Sequence, residues 1–204
     1  MADNILKKMI LTRKIPSVTR ITLDRVLKIF FRSLKKGKVV DLGSMDSPYK
    51  KFIPYTEYLR VDIDAKNNPD ICCDFHKVKW KSNYFDTAVA TEILEHSYNP
   101  QKAVDELRRI LKKGGVCILS TRFIQQYHPC PKDYFRFSKD GLEHLFRKFN
   151  KVKIIPHGNR FLAIWTMINC GRIGLLLNLL NYPLSIFSFK DSKCPLGFVV
   201  YAIK

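Results

Sequence analysis

The stretch "VVDLGSMDSPY", residues 39–49, decides how the rest of the chain reads. It runs from an apolar strand through Asp41 into a loop with a single glycine, Gly43, followed by Ser44 and Met45. In open α/β sheets, ligands bind beyond the carboxyl ends of the strands, close to the point where strand order reverses. A strand ending in an acid and a glycine is therefore a candidate wall of a ligand crevice.

Outward from this stretch, residues 38 to about 156 alternate short β-rich runs with helical segments. Strands are predicted at "KVVDL", "YLRVDI", "DICCD", "FDTAVA", "GVCILST" and "KVKIIP", and a final one at "GFVVYAIK". The clearest helix is "NPQKAVDELRRILKKGG", with proline in its first turn, acids before bases, and glycines expected to stop it. Such alternation specifies a doubly wound, Rossmann-like α/β sheet with helices on both faces. Ahead of it, residues 1–36 form a basic helical extension, with ten Lys and Arg against two acids. Its "SVTRITLDRVLKIFFRSLKKG" has helical periodicity, a Ser17 cap and Gly37 as the expected stop. Residues 37–204 are expected to form one domain, with an apolar helical segment at about 160–189 before the last strand.

Three carboxylates fall where a cofactor would meet them. Asp41 ends the first strand, Asp62 the second and Asp74 the third, with Phe75 beside it. A dinucleotide brings a pyrophosphate that needs several glycines for close backbone approach, and no G-x-G-x-x-G is present. S-adenosylmethionine has no phosphate and carries a sulfonium and an ammonium, so it asks for carboxylates and one close backbone approach. The pattern fits the second ligand.

Composition sets the remaining bounds. The chain has 204 residues, a formal net charge of +18 and 46% hydrophobic residues, enough for a sizeable core. The charge favours an anionic partner, whether nucleic acid, lipid head groups or a phosphorylated substrate. The six cysteines include no C-x-x-C pair, so buried free thiols are expected and no metal site. "MADNILKKMILTRK" lacks the apolar run of a secretory signal, and a cytoplasmic chain is expected. The apolar stretch is interrupted by Arg172, Asn178, Asn181 and Pro183, too short a run to span a bilayer. It reads either as a core helix or, with the basic N-terminal helix, as a peripheral contact to the anionic inner face of a membrane.

The blocks "VVDLGSMDSPYKKF", "YLRVDID", "PDICCDFH", "NYFDTAVATEILEHSYNPQKAVDELRRILKKGGVCILSTRF" and "YHPCPKDYFRFSKDGLEHLF" together resemble class I S-adenosylmethionine-dependent methyltransferases of the type 11 group. The resemblance implies a seven-stranded, mostly parallel sheet whose last strand is antiparallel. It also implies roles. Asp41, Gly43 and Ser44 would hold the methionine end of S-adenosylmethionine, and Asp62 with Ile63 the ribose side. Asp74 and Phe75 would take the adenine, while Thr91 and Glu92 would lie near the sulfonium. His96 would face the acceptor. Met45 stands where the family usually has a second glycine, which narrows the approach and keeps a degenerate, non-catalytic domain in view.

"YHPCPKDYFRFS" resembles a segment of a type 11 branch associated with polysaccharide and glycolipid biosynthesis. That implies a small or lipid-linked acceptor with a glycan hydroxyl or carboxyl. His128 and Asp133 would then serve as bases, Tyr127 and Tyr134 as platforms for the acceptor, and Arg136 as a fork for an acidic group. An RNA methyltransferase stays open because of the charge, although "TEIL" replaces the N-P-P-[YF] tetrapeptide of nucleic-acid amino methylases.

Overall fold

The computed structural model describes residues 16–77, 80–129, 132–169, 177–187 and 193–204. Residues 1–15 of the basic lead-in, Cys130, Pro131, and residues 170–176 and 188–189 of the apolar segment lie outside the described residues.

Seven strands form one sheet: β1 Gly37–Leu42, β2 Tyr55–Asp62, β3 Ile71–Cys72, β4 Phe85–Thr91, β5 Leu111–Arg122, β6 Lys151–His157 and β7 Gly197–Ile203. Their order is β3-β2-β1-β4-β5-β7-β6. Neighbours from β3 through β5 run parallel, while β7 lies antiparallel between β5 and β6. Strand order reverses between β1 and β4, so the loop at 43–49 opens at the switch point, the expected place for a ligand.

Side-chain alternation covers both faces. Val40, Leu42, Ala88, Ala90, Cys117 and Leu119 pack toward α2 (Pro100–Ile110) and α3 (Lys139–Leu145). Val39, Val89, Ile118 and Val199 pack toward α1 (Val18–Phe31), whose Leu23, Leu27 and Phe31 are buried. The helix of the basic lead-in is thus part of the domain's own core. α4 (Arg160–Ile168) and α5 (Asn181–Ile186) complete that side, with Arg25 of α1 donating to the Ser185 carbonyl and hydroxyl.

Two helix ends differ from expectation. α1 starts at the Ser17 cap, which accepts from the Arg20 amide, but ends at Phe31, and Gly37 begins β1. Residue 37 must be small, because a Cβ there would lie 2.7 Å from the Asp86 side chain. α2 ends at Ile110 with Asn99 as its cap and no acid in its first turn. Leu111 turns extended to pair with Phe85, and the next pair in register is Thr87 with Val116. "KKGG" is therefore a bulge within β5. Among the described residues, Cys72, Cys73 and Cys117 are free thiols; Cys117 is buried as expected, whereas Cys72 is exposed on the sheet edge.

Candidate active site

The first wall is the loop after β1. Gly43 takes φ +64, a left-handed backbone that favours glycine, and a Cβ there would sit 2.6 Å from Ile93 Cδ1, so any other residue would also push the Ile93 side chain aside. The amides of Gly43 and Ser44 both donate to the Val61 carbonyl, at 2.9 and 3.1 Å. Ser44 is buried, and its Oγ has no hydrogen-bond partner among the described residues. Met45 also has a left-handed backbone, φ 44, and its side chain is 62% exposed. The methionine in place of a glycine thus bears backbone strain, while its side chain turns to solvent.

The three acids sit as the strand order demands. Asp62, nearly buried, accepts the Met45 amide through Oδ2 (2.8 Å) and the Asp64 amide through Oδ1 (2.9 Å). It fixes the loop to β2 while retaining lone pairs for a diol. Ile63 follows it, 66% exposed, a flat apolar surface at the same edge. Asp41 lies deeper, accepting from Tyr58 Oη at 2.7 Å. Burial pushes its carboxyl up to about 6, against the lowering effect of that hydrogen bond. Asp74 accepts from the His76 amide and contacts His76 Nδ1 at 2.8 Å. His76 Nε2 in turn meets Ser97 Oγ at 2.8 Å, and its ring lies against both Phe75 and Tyr98. Phe75 is therefore stacked on a histidine that sequence reading passed over.

The β4 edge supplies the opposite wall. Thr91 closes the strand, half-buried. Glu92 has φ 54, a strained conformation of the kind that clusters at functional sites. Its Oε1 accepts from Ser120 Oγ, and its Oε2 pairs with Arg122 Nε. The next turn, Leu94–His96, holds Glu95 fully buried, with Oε2 accepting from Thr121 Oγ1 at 2.9 Å. Burial, then the neighbouring Glu92 charge, raises the Glu95 carboxyl well above the usual range.

The segment after β5 folds back onto this turn. The amides of Tyr134 and Phe135 donate to the Glu95 carbonyl, and His96 Nδ1 lies 2.9 Å from the Lys132 carbonyl. Arg136 grips Asp133 with both terminal nitrogens, at 2.5 and 2.6 Å, which holds the Asp133 carboxyl well below its ordinary range. Asp133 also accepts the His128 amide at 3.2 Å. The His96 and His128 rings meet edge to face, 4.9 Å apart. Tyr127 and Tyr134 are exposed, at 73% and 46%. Tyr127, His128, Asp133, Tyr134 and Arg136, expected on the acceptor side, thus lie in one loop, and His96 meets them from the turn after β4. Arg136, expected to grip an acceptor, is already occupied by Asp133, and this pairing removes Asp133 from service as a base. Sequence reading missed Tyr58, His76, Ser97, Arg122 and Glu95. Only Glu95 left a signal, in "E-I-L-E-H".

A left-handed glycine, a serine hydroxyl without a partner among the described residues and three acids in strand order fit S-adenosylmethionine, and the amides of Gly43, Ser44 and Met45 are already engaged by Val61 and Asp62 rather than left to cradle a pyrophosphate. The fold and this crevice define the class I methyltransferase architecture. Residues 54–119 match the family model described as a methyltransferase domain. In fold, and in the sequence of residues 54–119, the chain resembles the class I S-adenosylmethionine-dependent methyltransferases, and S-adenosylmethionine is the cofactor that the crevice fits.

Among curated relatives, the ubiquinone/menaquinone biosynthesis C-methyltransferases UbiE of Burkholderia cenocepacia and Burkholderia multivorans are each 31% identical over 83 residues, 41% of this chain. The match spans 34% of those relatives' length. Among solved structures, a methyltransferase from Archaeoglobus fulgidus superposes with TM-score 0.62 at 13% identity, covering 97% of this chain and 99% of that one. One from Thermotoga maritima gives 0.62 at 18% identity, with 99% and 96% covered. A Haemonchus contortus phosphoethanolamine N-methyltransferase bound to S-adenosylmethionine gives 0.61 at 14%, covering 91% of this chain and 52% of that one.

Proposed function

We propose that this chain transfers a methyl group to an oxygen of a small, apolar or lipid-linked acceptor, a glycan hydroxyl or carboxyl among the candidates. S-adenosylmethionine supplies a methyl group already activated by its sulfonium, so the protein's contribution is alignment and exclusion of water. Asp41, Gly43 and Ser44 would hold its methionine end, Asp62 and Ile63 its ribose side, and Asp74 with Phe75 and His76 its base. Thr91 and Glu92 would line the reacting end. His128, steered by Asp133, would take the acceptor's proton, with His96 alongside. Tyr127 and Tyr134 would flank the acceptor, and Arg136 would set the loop.

The observation that carries the acceptor class is a contact. Gln126 of the acceptor loop donates to the Met167 carbonyl of α4 at 3.1 Å. α4 and α5 expose Phe161, Ile164, Met167, Ile168, Tyr182 and Ile186. Exposed apolar side chains gathered on two neighbouring helices favour a docking surface, and the Gln126 contact joins it to the loop after β5. No described helix is long and apolar enough to cross a membrane. An apolar acceptor, or one held in a membrane surface, would therefore reach the loop along α4.

The UbiE relatives favour a second reading, small-molecule C-methylation. Both are tested by incubating the protein with methyl-labelled cofactor and separate lipid, aqueous-glycan and RNA fractions. Label in the lipid or glycan fraction that mild base releases as an ester, or hydriodic acid releases as methyl iodide from an ether, supports the proposal, and label that resists both treatments supports C-methylation instead. Label confined to RNA would replace it.

A further inference from the structure

The acceptor side holds three donors that the reaction as proposed does not need together: Glu95, His96 and His128. One ligand atom from each lies within 4.8 Å of the other two. Glu95 is the unusual member. It is fully buried, its Oε2 is engaged by Thr121, and its Oε1 has no hydrogen-bond partner among the described residues. Such a carboxyl holds a proton when nothing else is bound, and its orphan oxygen, clustered with two imidazoles, is a ligand position that a cation would take in place of that proton.

The two imidazoles are prepared in the matching sense. A carbonyl only accepts, so the Lys132 carbonyl beside His96 Nδ1 places the proton on that nitrogen and leaves Nε2 with its lone pair. His128 Nδ1 faces the Asp133 carboxylate at 3.2 Å and the Gln126 carbonyl at 3.4 Å, which fixes the same tautomer. Histidines oriented through one nitrogen by a carbonyl or carboxylate are the usual partners of a metal on the other.

We infer that Glu95, His96 and His128 form a binding site for a divalent transition-metal ion at the acceptor end of the cleft. Two imidazoles and one carboxylate suit zinc, iron(II), cobalt or manganese rather than magnesium or calcium. Three protein ligands leave positions open, the arrangement of catalytic rather than structural sites. Bonds of about 2.0–2.2 Å draw the donors closer than they stand, and the partly exposed His128 ring supplies the adjustment. Resting on the methyl-transfer reading, the open positions would take the acceptor oxygen and lower its pKa, which replaces the role of base given above to His128, since the metal would occupy its Nε2.

The test begins with the metal alone. Chelator-stripped protein is titrated with cobalt(II), followed by visible absorption and calorimetry. One saturating equivalent is expected, with d–d bands of nitrogen and oxygen ligation. Glu95→Gln and His128→Ala should each weaken it at least ~100-fold, and Cys72→Ser should leave it unchanged. Glu95→Gln changes a core residue, so His128→Ala, at the surface, is the deciding variant if the other unfolds. Absence of stoichiometric binding, equal binding by His128→Ala, or thiolate bands lost in Cys72→Ser would overturn the site. Retained binding without any methyl transfer to lipid or glycan fractions would leave the site standing and remove the acceptor reading instead.

Discussion

At the scale of single residues, the loop after β1 shows how a departure from a pattern is absorbed. Met45 has the left-handed backbone that a glycine takes freely, which costs a residue with a Cβ roughly 1–2 kcal/mol. Met45→Gly relieves that strain but adds unfolded-state freedom worth about 0.5–1 kcal/mol. The expected net is therefore between neutral and about 1.5 kcal/mol of stabilisation in urea melts, with cofactor affinity retained. Asp41 carries a pH effect. Its folded pKa of about 6 lies above its ordinary 3.8, so the folded protein holds this proton more tightly than the unfolded chain. Its contribution is present below about pH 4 and lost as pH rises through 6, a difference on the order of 3 kcal/mol. Urea melts at pH 4 and 7 should show that Asp41→Asn removes this component. The order of acids at 41, 62 and 74 was legible in the sequence because each ends a strand. Their partners were not, because the Tyr58 and Ser97 contacts depend on strand register and loop closure rather than on spacing along the chain.

At the scale of elements, every strand was legible from its apolar run, and the errors fell at helix ends. Glycine normally stops helices, yet Gly37 serves close packing on Asp86, and Gly114 and Gly115 lie in a bulge of β5. Pairing across the sheet overrides the local stop signal in both cases. The acceptor loop was legible as a unit, but the competition within it was not: Asp133 is shared between Arg136 and His128. His128→Ala is expected to lower turnover by at least ~10-fold with cofactor affinity within about threefold, read as kcat against calorimetric Kd. Arg136→Ala should do the same by releasing Asp133 and loosening the loop. A parallel loss of cofactor binding in either variant would instead make the segment a lid over the cofactor.

At the scale of the whole molecule, a net charge of +18 favours anionic partners, and α1, which carries Arg20, Arg25 and Lys28, packs against the partly exposed apolar helices α4 and α5. The apolar run at 160–189 had two readings in sequence, core or interface, and the described part is divided between them: Leu162 and Ala163 are buried while Ile164 and Ile186 are exposed. Cosedimentation with anionic but not neutral vesicles is expected, weakening as salt screens the charge. Ile164→Asp with Ile186→Asp should abolish it without lowering the melting temperature, and equal recovery in both supernatants would exclude a membrane surface as partner. Everything proposed here depends on a cofactor crevice at the β1–β4 switch point. Calorimetry with S-adenosylmethionine and its demethylated product tests that most directly. One saturable site per chain is expected, with Asp62→Ala weakening both ligands by about 10- to 150-fold, the equivalent of about 1.5–3 kcal/mol for contacts to a charged group. A folded wild-type protein that binds neither at millimolar concentration would contradict it.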